Sequence, residues 1–245
     1  MRIIKPKAEI LYPKTDEEVW DMYRRIEAAG RTCYKSEDKI TWDSSKKFIT
    51  GLIRRGHEAM IEHGSMTVRF TVDRGVSHEI VRHRIASFAQ ESSRYCNYSQ
   101  EKFGNEITVI EPCFYDAIPV NRREMIQKAL KCDAEGFPEK LQPMSEMDMR
   151  YARWCEACMF AEKAYFDMIG YGATPEEARD VLPNSLKTEL VMTANLREWR
   201  HFFRLRAAGM TGKPHPQMVE VAAPLLKQCQ RMMPEVFGDI EVKTE

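Results

Sequence analysis

The chain has 245 residues, with 37 Lys and Arg balanced by 37 Asp and Glu and seven widely spread cysteines. That length can bury a sizeable core, and the neutral balance sets up no global field toward nucleic acid or membrane. No apolar run reaches the ~20 residues of a membrane span, and the scattered odd cysteines exclude a secreted disulfide framework.

The N-terminal MRIIKPKAEILYP lacks the apolar core of a signal peptide, so a single-domain (1–245) cytoplasmic protein is expected, without membrane or metal. Residues 2–12 alternate loosely, as a strand does. Thr15 ahead of Asp16, Glu17 and Glu18 marks a helix start, a capping hydroxyl before carboxylates at the positive end of the dipole. That helix turns Val19, Tyr23 and Ile26 inward and ends near Gly30. A second opens at Ser44 or Ser45, uses Phe48, Leu52 and Ile53 as its apolar face, and stops close to His63-Gly64.

The period then changes: Met66, Val68, Phe70 and Val72 alternate with Thr67, Arg69 and Thr71, a half-buried strand. Residues 76–88 return to helical spacing and 106–110 to a strand. From Asn121 to Gly170 the pattern is mostly helical, interrupted around Pro138 and Pro143. Thr174-Pro175-Glu176-Glu177 starts another helix with Pro at its first position, and helices follow over 185–208 and 216–233. Few strands among many helices, without βαβ alternation, predict an α+β fold. Neither Gly-rich fingerprint of dinucleotide or P-loop sites occurs.

Two places carry charge where the pattern wants none. In NLREWRHFFRLR (195–206), Trp199, Phe202 and Phe203 define the apolar stripe, and Arg206 falls about 20° from Trp199. Arg197 and Arg204 point away. A guanidinium cannot lose its charge and is costly to bury unpaired, so Arg206 needs an internal salt bridge or a ligand. If 76–88 is helical, Arg84 likewise lies inside the arc of Val76, Ile80, Val81, Ile85 and Phe88, flanked by Arg82 and His83. Ser92, Ser93 and Arg94 follow in a polar stretch suited to a phosphate. His57 and His63 in GHEAMIEH are six apart, not the four that puts two metal ligands on one helix face. Cys155 and Cys158 form a lone CxxC inside a helical stretch and read as packing rather than zinc or redox chemistry.

Arg82-His83-Arg84 with Ser92 and Arg94-Tyr95 beyond resembles the signature of flavin-dependent thymidylate synthases. GHEAMIEH upstream, ARDVLPNSLKTELVMTANLREWRHFFRLR downstream and His215-Pro216-Gln217 resemble other segments of that family in the same order. The resemblance implies a central antiparallel sheet flanked by helices and a homotetramer whose active sites are shared between subunits. It implies FAD as cofactor, methylenetetrahydrofolate as carbon donor, NADPH as reductant and dUMP as substrate, with no nucleic-acid partner.

By motif position the resemblance places His57, Ala59, Arg82, His83, Arg84, Gln90, Asn195, Leu196, Arg197 and His201 on flavin. It places Glu79, Arg82, Gln90, Glu91, Ser92, Ser93, Arg94, Arg179 and Arg206 on dUMP, with Arg206 favouring ionisation of the uracil N–H. In that family the position of Gln90 is Glu in many relatives, and Asn is also found at the position of His201. Two alternatives remain. Cys96 could be the nucleophile of a cysteine-dependent thymidylate synthase, activated by nearby arginines. The stretch 195–215, with five Lys and Arg against one acid, could belong to a nucleic-acid binding module using helix 197–206.

Overall fold

The alternating stretch becomes strand β3 (Ser65–Asp73), with Met66, Val68, Phe70 and Val72 all fully buried. The computed structural model describes residues 1–132 and 143–242, so the interruption at Pro138 lies outside the described residues. The chain clusters into two units, a sheet unit (6–72, 76–90, 189–245) and a helical unit (1–5, 73–75, 91–188).

In the sheet unit, β2 (Lys7–Tyr12) pairs antiparallel with β3, placing Ile10 opposite Val68. Helix α1 (Asp16–Thr32) starts with a full capping box: Thr15 accepts from the Glu18 backbone N–H, and the Glu18 side chain accepts from Thr15. Val19, Tyr23 and Ile26 are buried as the spacing demands. The helix passes Gly30, which serves packing rather than capping: a Cβ there would lie 2.6 Å from the Phe48 ring. Helix α2 (Ser44–Arg54) ends well before His63, because Gly56 adopts φ 71° and turns the chain into a 3-10 segment, Glu58–His63.

Two expectations of helix fail here. The stretch 76–88 is helix α3 (Arg74–Ile80), a turn, and strand β4 (Ala86–Gln90). Residues 187–195 are strand β6 (Lys187–Asn195), and only then does helix α7 (Leu196–Arg206) begin. The period of two was present, since Thr188, Leu190, Met192 and Ala194 are buried and their neighbours are not. Asn195 marks the switch by accepting from the Glu198 backbone N–H at 2.8 Å. The sheet runs β2-β3-β6-β4, with β4 antiparallel to β6 and Phe88 opposite Met192. Trp199, Phe202 and Phe203 of α7 pack with helices α8 (Pro216–Met232) and α9 (Pro234–Phe237) in one core cluster. Trp199 also donates its indole N–H to the Met66 carbonyl at 2.9 Å.

In the helical unit, β1 (Arg2–Ile4) pairs in parallel with β5 (Thr108–Ile110), so the 2–12 stretch is two strands and not one. Helix α4 (Val120–Cys132) packs on α5 (Glu146–Gly170), and α6 (Pro175–Ala178) is a single turn opened by the expected Thr174 cap. Cys155 and Cys158 are buried in α5, and burial pushes the Cys155 thiol up to about 12. Both are side chains of the core.

Trp199→Ala removes the largest fully buried side chain together with an indole bond to β3. It should destabilise the protein by roughly 3–5 kcal/mol, read as a shift of the urea unfolding midpoint at unchanged slope. A loss under about 1 kcal/mol would show that the core does not hinge on α7.

Candidate active site

Helix α3 closes with tightened bonds, from the Arg82 N–H to the Glu79 carbonyl at 3.3 Å and from the His83 N–H to the Ile80 carbonyl at 3.1 Å. The chain then leaves the helix, and this rotates the segment away from the helical expectation. His83 is the buried member of the triplet, 4% exposed, while Arg82 and Arg84 are exposed. Arg84 therefore does not lie in an apolar arc; the helix that would have put it there stops four residues earlier.

These residues border a cavity of ≈ 690 Å³ with Glu79, Glu198, His201, Arg206 and the segment 211–215. Arg206 sits on the core side of α7, its side chain 20% exposed. Its Nη1 donates to Glu79 Oε2 at 2.8 Å, its Nη2 to the Glu79 carbonyl at 3.1 Å, and its Nε to His83 Nε2 at 3.2 Å. A guanidinium only donates, so His83 Nε2 must present its lone pair. The ring proton is then on Nδ1, which lies 2.8 Å from Glu198 Oε1. Burial holds His83 below its ordinary pKa; Glu198 opposes this, and the charge of Arg206 adds to it, as does His201. His83, Glu198 and His201 converge as three ligand-type groups, yet hydrogen bonds already engage both ring nitrogens of His83.

The other arginines of α7 are matched by carboxylates. Arg197 pairs with Glu62 at 2.6 Å and Arg204 with Glu58 at 2.9 Å. Arg200, fully buried, was not singled out by the sequence pattern. It meets Asp239 at 2.6 Å, Glu58 at 3.1 Å and the Val236 carbonyl. Glu58 stands between His57 and Ala59, which line a second cavity of ≈ 1090 Å³ with Arg31, Lys47 and Arg55. Asn195 is occupied as the α7 cap, and the Leu196 side chain is buried in the core. Gln90, at the end of β4, donates to Ser77 Oγ at 3.0 Å.

In the helical unit, Glu91 accepts from Lys187 at 2.8 Å and from the Tyr98 hydroxyl at 3.4 Å. Ser92 opens a turn whose carbonyl accepts from Tyr95 and Cys96. Ser92 and Ser93 are half-buried. Arg94 pairs with Glu176 at 2.9 Å, and Arg179 lies 4.0 Å from Asp180. Burial and the Glu91 charge push the Cys96 thiol up, the reverse of an activated nucleophile.

Sequence reasoning missed Glu198, Lys187, Glu58 and Arg200. Glu198 had one signal, its place three residues after an N-cap Asn, which normally sends a Glu back to the cap; here it turns to His83 instead.

Against known families, residues 17–235 match the model of the thymidylate synthase complementing protein. A protein named flavin-dependent thymidylate synthase from Corynebacterium glutamicum is 31% identical over 222 residues, spanning 89% of this chain and 80% of its own. One of the same name from Mycobacterium tuberculosis is 28% identical over the same shares. Among solved structures, a UMP/dUMP methylase from Streptomyces cacaoi bound with 5-Br dUMP has a TM-score of 0.69. It is 22% identical and covers 97% of this chain and 96% of that one, a likeness of fold.

The wiring of His83 makes a titration prediction. Its imidazole, followed by NMR, should protonate below the ordinary His value of about 6.5, and Arg206→Gln should raise that midpoint by removing a repelling charge. A midpoint unmoved by Arg206→Gln would contradict the contact.

Proposed function

Because this chain belongs to the thymidylate synthase complementing protein family, we propose that it is a flavin-dependent thymidylate synthase. It would convert dUMP to dTMP, taking carbon from methylenetetrahydrofolate and reducing equivalents from NADPH by way of FAD. The observation that carries this reading is the meeting of Arg82-His83-Arg84 with Arg206 around one cavity.

The residues present fit an anionic cofactor. Arg82 and Arg84 border the cavity, and among the described residues neither enters an ion pair, leaving two cations available to phosphate oxygens. His201 adds an exposed flat ring on the same wall. His57, Ala59, His83, Gln90, Asn195, Leu196 and Arg197 complete the flavin set this reading assigns. FAD, when bound, supplies the two-electron redox chemistry that no side chain here provides.

Arg206 does the electrostatic work in this reading. Three of its five N–H groups are spoken for by Glu79 and His83. The remaining two can meet the uracil oxygen and ring nitrogen, where negative charge develops as the N–H ionises. A donor fixed in advance needs no reorganisation at that moment. Glu91, Ser92, Ser93 and Arg94 are assigned to the nucleotide's phosphate and sugar, Glu79, Arg82 and Arg179 to the nucleotide more generally, and Gln90 to a place between flavin and nucleotide. Ser92 acts there as a ligand, since among the described residues no carboxylate or imidazole takes up its hydroxyl proton. The reading also includes a homotetramer with shared active sites and a cytoplasmic setting.

Two observations tell against the alternatives. The raised Cys96 thiol does not suit a nucleophile. Each arginine of 197–206 is engaged by a carboxylate, which leaves no open stripe for a phosphate backbone.

The purified protein should show flavin absorption bands that bleach with NADPH and shift with dUMP. A colourless protein that takes up no FAD and binds DNA with a steep salt dependence would overturn the reading. Arg206→Ala should keep flavin and lose roughly 10²–10³ in turnover, the usual cost of one charge-stabilising donor. Cys96→Ala should retain substantial turnover; a folded but inactive variant would favour the cysteine-dependent chemistry.

A further inference from the structure

Glu198 has no part in the proposed flavin or nucleotide contacts, yet it is a nearly buried carboxylate, 7% exposed, in the wall of the cavity. A carboxylate in such a place is expensive unless a donor meets it. Its donor is His83 Nδ1, at 2.8 Å, and His83 is itself buried. The opposite ring nitrogen accepts from Arg206 Nε at 3.2 Å. An ionised carboxylate only accepts and a guanidinium only donates, so the imidazole between them has one tautomer that satisfies both.

We propose that Glu198 is a positioning residue: by holding the His83 proton on Nδ1 it keeps Nε2 as an acceptor for Arg206, and with Glu79 it fixes the guanidinium that faces the cavity. Glu79 alone takes the two terminal nitrogens of Arg206, a contact that still lets the plane rock about the Nε edge. The His83 contact pins that edge. The arrangement rests on the functional reading above only for the claim that Arg206 acts on a nucleotide; the wiring itself is geometric.

The chain of bonds also has a built-in acid limit. Protonating Nε2 would set an N–H against the Arg206 N–H and place two cations side by side, which expels Arg206 from its pose. The charged and titratable groups around His83 are Glu198, His201 and Arg206 on α7, Glu79 on α3 acting through Arg206, Arg82 and Arg84 along the chain, and Lys213 and His215 on the cavity wall. Phe202 packs its ring at 5.0 Å and brings no charge. Glu198 is the acid in direct contact with the ring, so removing its charge must make the imidazolium less favourable.

The test uses the FAD-loaded full chain. In wild type, ¹⁵N-histidine NMR should show His83 protonated at Nδ1 with Nε2 unprotonated. Glu198→Ala should bind FAD, populate both tautomers and lose on the order of ten- to a hundredfold in kcat, the scale seen for partners that orient a functional group. Glu198→Gln keeps an acceptor and should recover part of that loss, with the acid limb of its kcat/KM profile moved to lower pH. Wild-type kcat and a single tautomer in Glu198→Ala would overturn the proposal. So would a lowered melting temperature with kcat and the acid limb unmoved, the mark of a merely structural residue. If Glu198→Ala does not fold, the acid limb of Glu198→Gln decides in the same way. If wild type fails to convert dUMP, the functional reading falls, while the NMR tautomer still tests the positioning.

Discussion

A guanidinium keeps its charge at any pH a protein survives, and α7 carries four arginines in eleven residues against an aromatic core. Arg200, buried, and Arg206, mostly buried, therefore have to be brought a carboxylate, and all four arginines meet one from elsewhere in the sheet unit: Glu62 and Glu58 from the 3-10 segment after α2, Glu79 from α3, and Asp239 from the end of the chain. Neutralising one helix thus fixes the position of three other segments. Two of them carry the residues that line the cavities, since Glu58 lies between His57 and Ala59, and Glu79 three residues before Arg82. The surface pair Arg197–Glu62 contributes little, whereas leaving a buried guanidinium without its acceptors strands a charge at a cost of several kcal/mol. Arg200, with no exposed surface, is where that constraint bites hardest.

The sequence was most legible where one rule acted alone. The period-two run of β3, the Thr15 and Thr174 caps, the aromatic stripe of α7 and the packing of the CxxC all stand as read. It was least legible where rules competed. Residues 187–195 satisfy a helical count and an alternating count, and pairing with β4 decides for the strand. Val81 to Phe88 looks amphipathic only while the helix continues. It does not, and Arg84 changes place with His83 as the residue that faces inward. Lys187 and Glu91, 96 positions apart, meet through tertiary structure that no local window contains.

The site residues divide along the same line. Arg206 declared itself as a charge on an apolar face, and its 20% exposure is what a residue serving both core and cavity requires. Its partner was open between an internal anion and a ligand, and the fold answers with Glu79 and His83 while, among the described residues, leaving two N–H groups unspent. Glu198 gave no comparable sign, because an acid in the first turn of a helix is ordinary.

Its burial changes its meaning. At the surface, a carboxylate three residues past an N-cap would stabilise the helix dipole and little else. Inside a cavity wall it must be satisfied, and the donor that satisfies it is the imidazole touching Arg206. Helix capping, histidine tautomer and arginine orientation are thereby joined in one run of hydrogen bonds, from Asn195 at the start of α7 to Arg206 at its end. A helix of eleven residues spans about three turns, so both ends of that run sit on one rigid element. The guanidinium is held before any ligand arrives, and the free energy of holding it is supplied by folding rather than drawn from binding.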